Sequence, residues 1–221
     1  MLSVWERGIT FRAAREESIA RSSTLNGLYS SAQTRFKQPE VIQATRVITI
    51  SGEVGSGKTT LLAELSGILQ PAGWQVVSIG TKFREFCARR GLTIDEIDHL
   101  PDELHQQFDE YQEQMLRDME SILLESRLAG YLARRLGLSD VLKVYCRLPL
   151  EERIGRIAER QSVSYAAARN LIQERDRKDL ERFRRLYGVE DYRDPLNYDI
   201  TLATIKRPDL LALDVIAAMR Q

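Results

Sequence analysis

The 221-residue chain predicts an α/β fold, a five-stranded parallel sheet flanked by helices on both faces. Three observations carry that reading. Short aliphatic or β-branched runs alternate five times with stretches of helical spacing, the order of right-handed βα units. Between the first run and the first helix lies Gly52-Glu53-Val54-Gly55-Ser56-Gly57-Lys58-Thr59, which meets the pattern G-x-x-x-x-G-K-[ST] at every fixed position. Beyond the fourth run arginines gather: eleven basic and seven acidic residues fall between Arg147 and Arg185, in a chain whose 32 Lys+Arg balance 32 Asp+Glu.

Taken in order, Val47 to Ser51 reads as a buried strand, and Thr60 to Gln70 as a helix with Leu61, Leu62, Leu65, Ile68 and Leu69 on one face. Pro71-Ala72-Gly73 breaks the chain before a second strand, Trp74 to Ser78. Gly80 is expected to open a helix from about Thr81 to Arg90, which Gly91 ends. From Thr93 to about Leu124 the chain is helical and acidic, including Asp102, Asp109, Glu113 and Asp118. Such a run reads as a solvated helix face, with at most a part in lining an acceptor pocket. Ile122 to Glu125 is the third strand and Val141 to Arg147 the fourth. A basic helix, Leu150 to Gln161, and a long helical segment from Ser164 follow. A last strand, Tyr198 to Leu202, precedes a helix from Pro208 to the end.

The loop pattern points to phosphate. Gly52, Gly55 and Gly57 let successive N–H groups turn inward, and the helix beginning near Lys58 adds its unpaired N–H groups and its dipole. Lys58 is the point charge for the β- and γ-phosphates, and the Thr59 hydroxyl is the Mg²⁺ ligand. Gly52, Gly55, Ser56, Gly57, Lys58, Thr59 and Thr60 form the expected nucleotide-binding set, Thr60 already lying in the helix. This is the signature of the P-loop NTPase fold. Glu125, at the end of the third strand, lies where ligands gather in a parallel sheet and is expected to reach Mg²⁺ through water; Arg127 follows it into the same region.

Zero formal charge gives no global field toward nucleic acid or a membrane surface, and no apolar run approaches the roughly 18 residues that span a bilayer. Cys87 and Cys146 form no C-x-x-C pair and no apolar leader is visible, so a cytoplasmic, soluble protein is expected; the sequence leaves its oligomeric state open, with a monomer favoured. His99 and His105 read as exposed helix residues. Residues 1–45, rich in Ser, Arg and Ala, read as an N-terminal extension of unknown role before a P-loop domain at 46–221.

Four stretches together give the span from Arg46 to about Met219 a resemblance to nucleoside monophosphate kinases, most closely the cytidylate kinases of the shorter, archaeal-like branch. They are Ile48 to Gly52 running into the loop, Ser78-Ile79-Gly80-Thr81-Lys82-Phe83-Arg84, Leu124 to Gly130, and Arg175-Asp176 through Arg182. The resemblance implies ATP and Mg²⁺, an acceptor-binding region at about 80–121 and an arginine-rich lid at about 160–188. It implies that Arg84 and Arg127 hold the acceptor phosphate, that Arg175 and Arg182 approach the transferring group with Lys58, and that Asp179 meets the acceptor's sugar. Arg153 would be a donor-side contact. Glu53, in place of a frequent proline, is expected to point outward; Ser126 replaces a glycine, and Leu128 stands where longer relatives carry a base-reading carboxylate, leaving base recognition unassigned. The expected activity is transfer from ATP to CMP or dCMP. A P-loop kinase for another small acceptor and a non-catalytic ATP-binding regulator remain the alternatives.

Overall fold

The computed structural model describes residues 44–92 and 100–219. All but the last two residues of the expected extension, His99 and the start of the acidic stretch lie outside them. β1 (Val47–Gly52) is buried along its whole length, as a strand covered on both faces must be. Its residues feed two cores. Val47 joins Phe108, Met115, Leu116, Ile122 and Leu124, whereas Ile48 and Ile50 join Leu61, Leu65, Leu123, Val144 and Leu211.

The remaining elements are α1 (Lys58–Leu69), β2 (Gln75–Ser78), α2 (Ile79–Arg89), α3 (Asp102–Asp118), β3 (Ile122–Glu125), α4 (Ala129–Arg135), β4 (Val141–Arg147), α5 (Leu150–Gln161), α6 (Tyr165–Tyr187), β5 (Ile200–Ala203) and α7 (Pro208–Ala218). The five strands are all parallel in the order β2-β3-β1-β4-β5. After β1 the chain moves to one edge and returns beside it as β3, then crosses to the other side as β4. That reversal opens a crevice at the carboxyl ends of β1 and β3, where a ligand site is expected in an open parallel sheet. Ile50 and Glu125 are in register there, and the Ser126 N–H donates to the Ile50 carbonyl at 3.1 Å.

The helix after β2 starts two residues earlier than expected. Ser78 caps it, its Oγ accepting from the Thr81 N–H at 3.3 Å, so Gly80 lies inside the helix. The last strand starts later, at Ile200, because Tyr198 packs on Gly130 and its hydroxyl donates to the Tyr192 carbonyl at 2.7 Å. α4 was not foreseen: seven residues are too few for a period to show. Ser126 is its local organiser, its Oγ accepting from the N–H groups of Leu128 (3.1 Å) and Ala129 (2.9 Å). A glycine there would leave both donors without that acceptor.

α5 and α6 form a helical hairpin with an apolar cluster of its own, Ile154, Ile157, Ala168 and Ile172, and Val54 of the loop completes it. The loop therefore rests on the hairpin. Among the described residues no helix is long and apolar enough to cross a membrane.

Gly130 tests this packing. A Cβ there would lie 2.6 Å from the Tyr198 ring and 3.2 Å from Ser51 Oγ, which accepts from the Gly130 N–H at 2.9 Å. Gly130→Ala is expected to destabilise the fold by about 1–3 kcal/mol, seen as a lower urea midpoint at unchanged slope.

Candidate active site

A cavity of about 450 Å³ opens at the crevice. The phosphate loop forms one wall, with Gly55, Ser56, Gly57, Lys58, Thr59 and Thr60 all lining it. β1 enters this loop only because residue 52 is glycine. Gly52 has φ 150°, and a Cβ would lie 2.6 Å from both the Cys146 carbonyl and Ser56 Oγ. It shapes the loop from behind and does not line the cavity. Gly57 caps α1 in the left-handed conformation with no side-chain acceptor, so the first-turn N–H groups keep their unpaired state. Ser56 Oγ is buried with no hydrogen-bond partner among the described residues. Uncapped donors, an orphaned hydroxyl and a helix dipole are what a phosphate chain satisfies.

Lys58 Nζ donates to the Glu53 carbonyl at 2.8 Å. Partial desolvation at the loop pushes its pKa below the ordinary lysine value, an effect that the nearby Glu125 charge opposes. An anion arriving at the loop would favour the charged ammonium.

The opposite wall is cationic. Arg127, Arg175 and Arg182 line it, and Arg84 enters from α2, its Nη2 donating to Thr81 Oγ1 at 3.0 Å. Asp179, 3% exposed, ion-pairs with Arg127 and accepts from Arg182 Nη2 at 2.9 Å. Burial, and the charges of Arg182 and Arg175, push the Arg127 pKa below its ordinary value while Tyr192 opposes them. Such crowded guanidinium groups are stabilised by an anionic ligand.

Glu125 lines the cavity and accepts from Ser78 Oγ at 2.6 Å. Among the described residues no group of three or more His, Cys, Asp or Glu side chains forms a metal cage. One hydroxyl, Thr59, and one carboxylate, Glu125, lining the same cavity suit a hard cation such as Mg²⁺, which takes much of its shell from phosphate oxygens and water.

Residues 47–206 match the model of the cytidylate kinase-like family. The chain belongs to that family. It is 33% identical over 169 residues to the cytidylate kinase of Thermoplasma acidophilum, covering 74% of this chain and 87% of that one. To the cytidylate kinase of Haloquadratum walsbyi it is 35% identical over 176 residues, with 78% and 88% covered. Solved structures share the fold: an uncharacterised protein from Eubacterium ventriosum (TM-score 0.58, 16% identity, 78% of this chain and 96% of that one) and shikimate kinase from Acinetobacter baumannii (TM-score 0.50, 19% identity, 79% and 93%).

Two expectations drawn from the family do not match the geometry. Arg153, expected at the donor, is 4% exposed and does not line the cavity. Its guanidinium donates to the Val54 carbonyl (3.1 Å) and Asp176 Oδ2 (2.7 Å), and it ion-pairs with Glu53 at 3.3 Å. It fastens the loop to the hairpin. Glu53 does not point outward; Arg153 and Arg193 both hold its Oε1 at 3.3 Å.

Several lining residues were not among the expected site residues. Arg156 and Arg160 lie on α5; Arg156 Nη2 donates to the Thr204 carbonyl at 2.8 Å and Nη1 lies against Gly57. From α2 and α3 come Phe83, His105, Phe108, Asp109 and Gln112. His105 is half-buried and stacks on Phe83 with centroids 5.3 Å apart, contrary to its expected exposure. Phe108 and Gln112 stand one helical turn apart, the spacing that could have marked a second, inward face of the acidic helix.

Asp109 is the perturbed carboxyl of this wall. Burial pushes its pKa up to about 6, against stabilisation of the charge by Tyr187, Arg182 and Gln112; Glu113 adds to the rise. A raised carboxyl favours the protonated fold, so this group's contribution to stability falls as pH rises from about 4 to about 6. Asp109→Asn is therefore expected to gain stability relative to the parent on going from pH 4 to pH 8, by about 2–3 kcal/mol. Urea unfolding of both proteins across that range checks it; a constant difference would overturn it.

Proposed function

We propose that the protein transfers the γ-phosphoryl group of ATP to CMP or dCMP. The observation that carries this reading is the meeting of a phosphate loop and four arginines, Arg84, Arg127, Arg175 and Arg182, across one cavity in a member of the cytidylate kinase-like family. The archaeal relatives named cytidylate kinase support the acceptor.

In this reading the loop N–H groups, Ser56 and Lys58 hold the donor's phosphates. Lys58 exchanges the Glu53 carbonyl for phosphate oxygen. Arg84 and Arg127 hold the acceptor phosphate, and Arg175 and Arg182 stabilise charge on the transferring group. Asp179 orients Arg127 and Arg182 through the pairs it makes, and its family role toward the acceptor's sugar is compatible with its place on the wall. Thr59 and Glu125 would hold Mg²⁺, which when bound neutralises the developing charge on the phosphate oxygens. The attacking acceptor oxygen is already ionised, so positioning and charge stabilisation suffice without a general base. Residues 80–121 serve as the acceptor region. Residues 160–188, with the end of α5, serve as a lid that excludes water, which would otherwise take the phosphoryl group.

Coupled ADP release with ATP, Mg²⁺ and each of CMP, dCMP, UMP, AMP and GMP should give turnover concentrated on the cytidine nucleotides and abolished in Lys58→Ala. Turnover confined to a different acceptor would refute the assignment. Arg127→Ala should lower kcat/KM for CMP by about 100-fold or more while sparing ATP affinity; equal loss of both would mark Arg127 as structural.

A further inference from the structure

Gln112 presents an acceptor that no described residue uses. The side chain is 2% exposed and lines the cavity. Its Nε2 donates to Asp109 Oδ1 at 2.8 Å and to the Phe108 carbonyl at 3.4 Å, while Oε1 is buried with no hydrogen-bond partner. The amide cannot be turned over at no cost, because Oε1 would then face two acceptors. Asp109 is itself held: the Tyr187 hydroxyl donates to Oδ2 at 2.5 Å. The bidentate Arg185–Asp102 pair, at 2.7 Å on both oxygens, ties the same end of α6 to α3.

The surroundings suit a flat heterocycle. Phe83 meets Phe108 edge to face with centroids 4.7 Å apart and carries His105 on one side, and all three line the cavity. Oε1 is closed off from bulk water, so a donor carried in by the cavity's ligand reaches it only as these walls give way, and meets it dry.

We propose that Gln112, oriented by Asp109, reads the base of the acceptor nucleotide, its Oε1 accepting a hydrogen bond from the exocyclic amine of cytosine. The inference rests on the CMP reading above and supplies the base contact which Leu128 leaves unassigned. Cytosine presents an amine donor at position 4, whereas uracil presents a carbonyl acceptor there. Uracil would leave two acceptors face to face, both unpaired in a desolvated wall, and a site built for a donor rejects a ligand lacking it. Discrimination then depends on Asp109, whose carboxylate keeps Nε2 from turning toward the base.

The test compares CMP, UMP and the 5′-monophosphate of pyrimidin-2-one riboside, which lacks the amine, in the wild type, Gln112→Met and Asp109→Asn. Gln112→Met keeps the length and removes the acceptor. It should lower the CMP/UMP ratio of kcat/KM by about tenfold or more, chiefly through KM. The wild type should lose about as much when the amine is removed from the substrate, and Gln112→Met should lose little further. In Asp109→Asn the new amide can donate to Oε1, so Gln112 can turn over and UMP should gain on CMP. Variants that melt cooperatively and bind ATP, yet keep the wild-type ratio, would overturn the inference and leave the CMP reading standing. Absence of any cytidylate preference in the wild type would overturn both. If the variants do not fold, the wild type decides: equal use of CMP and the amine-free analogue overturns the proposal, and a loss of about tenfold or more sustains it.

Discussion

The absence of a side chain at residue 52 governs how β1 becomes a binding loop. A Cβ at that point would meet the backbone of β4 and the Ser56 hydroxyl at 2.6 Å, so any other residue would force the loop away from the sheet. Because the approach is that close, Ser56 is buried under the loop, Gly57 can cap α1 in a left-handed conformation, and the first-turn N–H groups face the cavity uncovered. The loop's fitness for an anion follows from backbone geometry, with Lys58 adding charge to a concavity the main chain has already shaped.

Charge on the facing wall has a different origin. Arg127, Arg175 and Arg182 are crowded, and their mutual repulsion would open the wall if nothing offset it. Asp179 holds two of them, one from the loop after β3 and one from its own helix. Asp176, one turn away, reaches Arg153, which also grips the Val54 carbonyl and Glu53. A single arginine therefore links the phosphate loop to the hairpin that carries the cationic residues. Val54 adds apolar packing on Ile154, Ile157, Ala168 and Ile172, so the loop and the hairpin are joined by both kinds of contact.

The α3 wall shows how one helix serves two environments. Its exposed face carries Glu103 and Glu110, the charges that make the stretch look solvated, while Phe108, Asp109, Gln112 and Met115 turn inward. Burial then changes the chemistry of an ordinary aspartate, raising its pKa and committing it to fixed partners, Gln112 and Tyr187.

The sequence by itself determined the sheet and the phosphate wall. Strand composition follows from burial on both faces, and the loop's chemistry depends on residues adjacent in the chain, so Gly52 to Thr59 could be read without a partner in view. Arg84, Arg127, Arg175, Asp179 and Arg182 were legible because their spacing resembles a known family, and the fold brings all five to one cavity. What only the tertiary structure decided is where long side chains from distant segments end. Arg153 and Arg156 sit on one helix three residues apart, yet packing against Asp176 and Val54 buries the first, while the second reaches the cavity beside Gly57. Glu53 is turned by two arginines that no local pattern connects to it, and Gln112 acquires an unpaired acceptor only once α3 is laid against Tyr187 of α6. Local periodicity fixes which face a residue occupies; which partners that face meets depends on contacts between segments far apart in the chain.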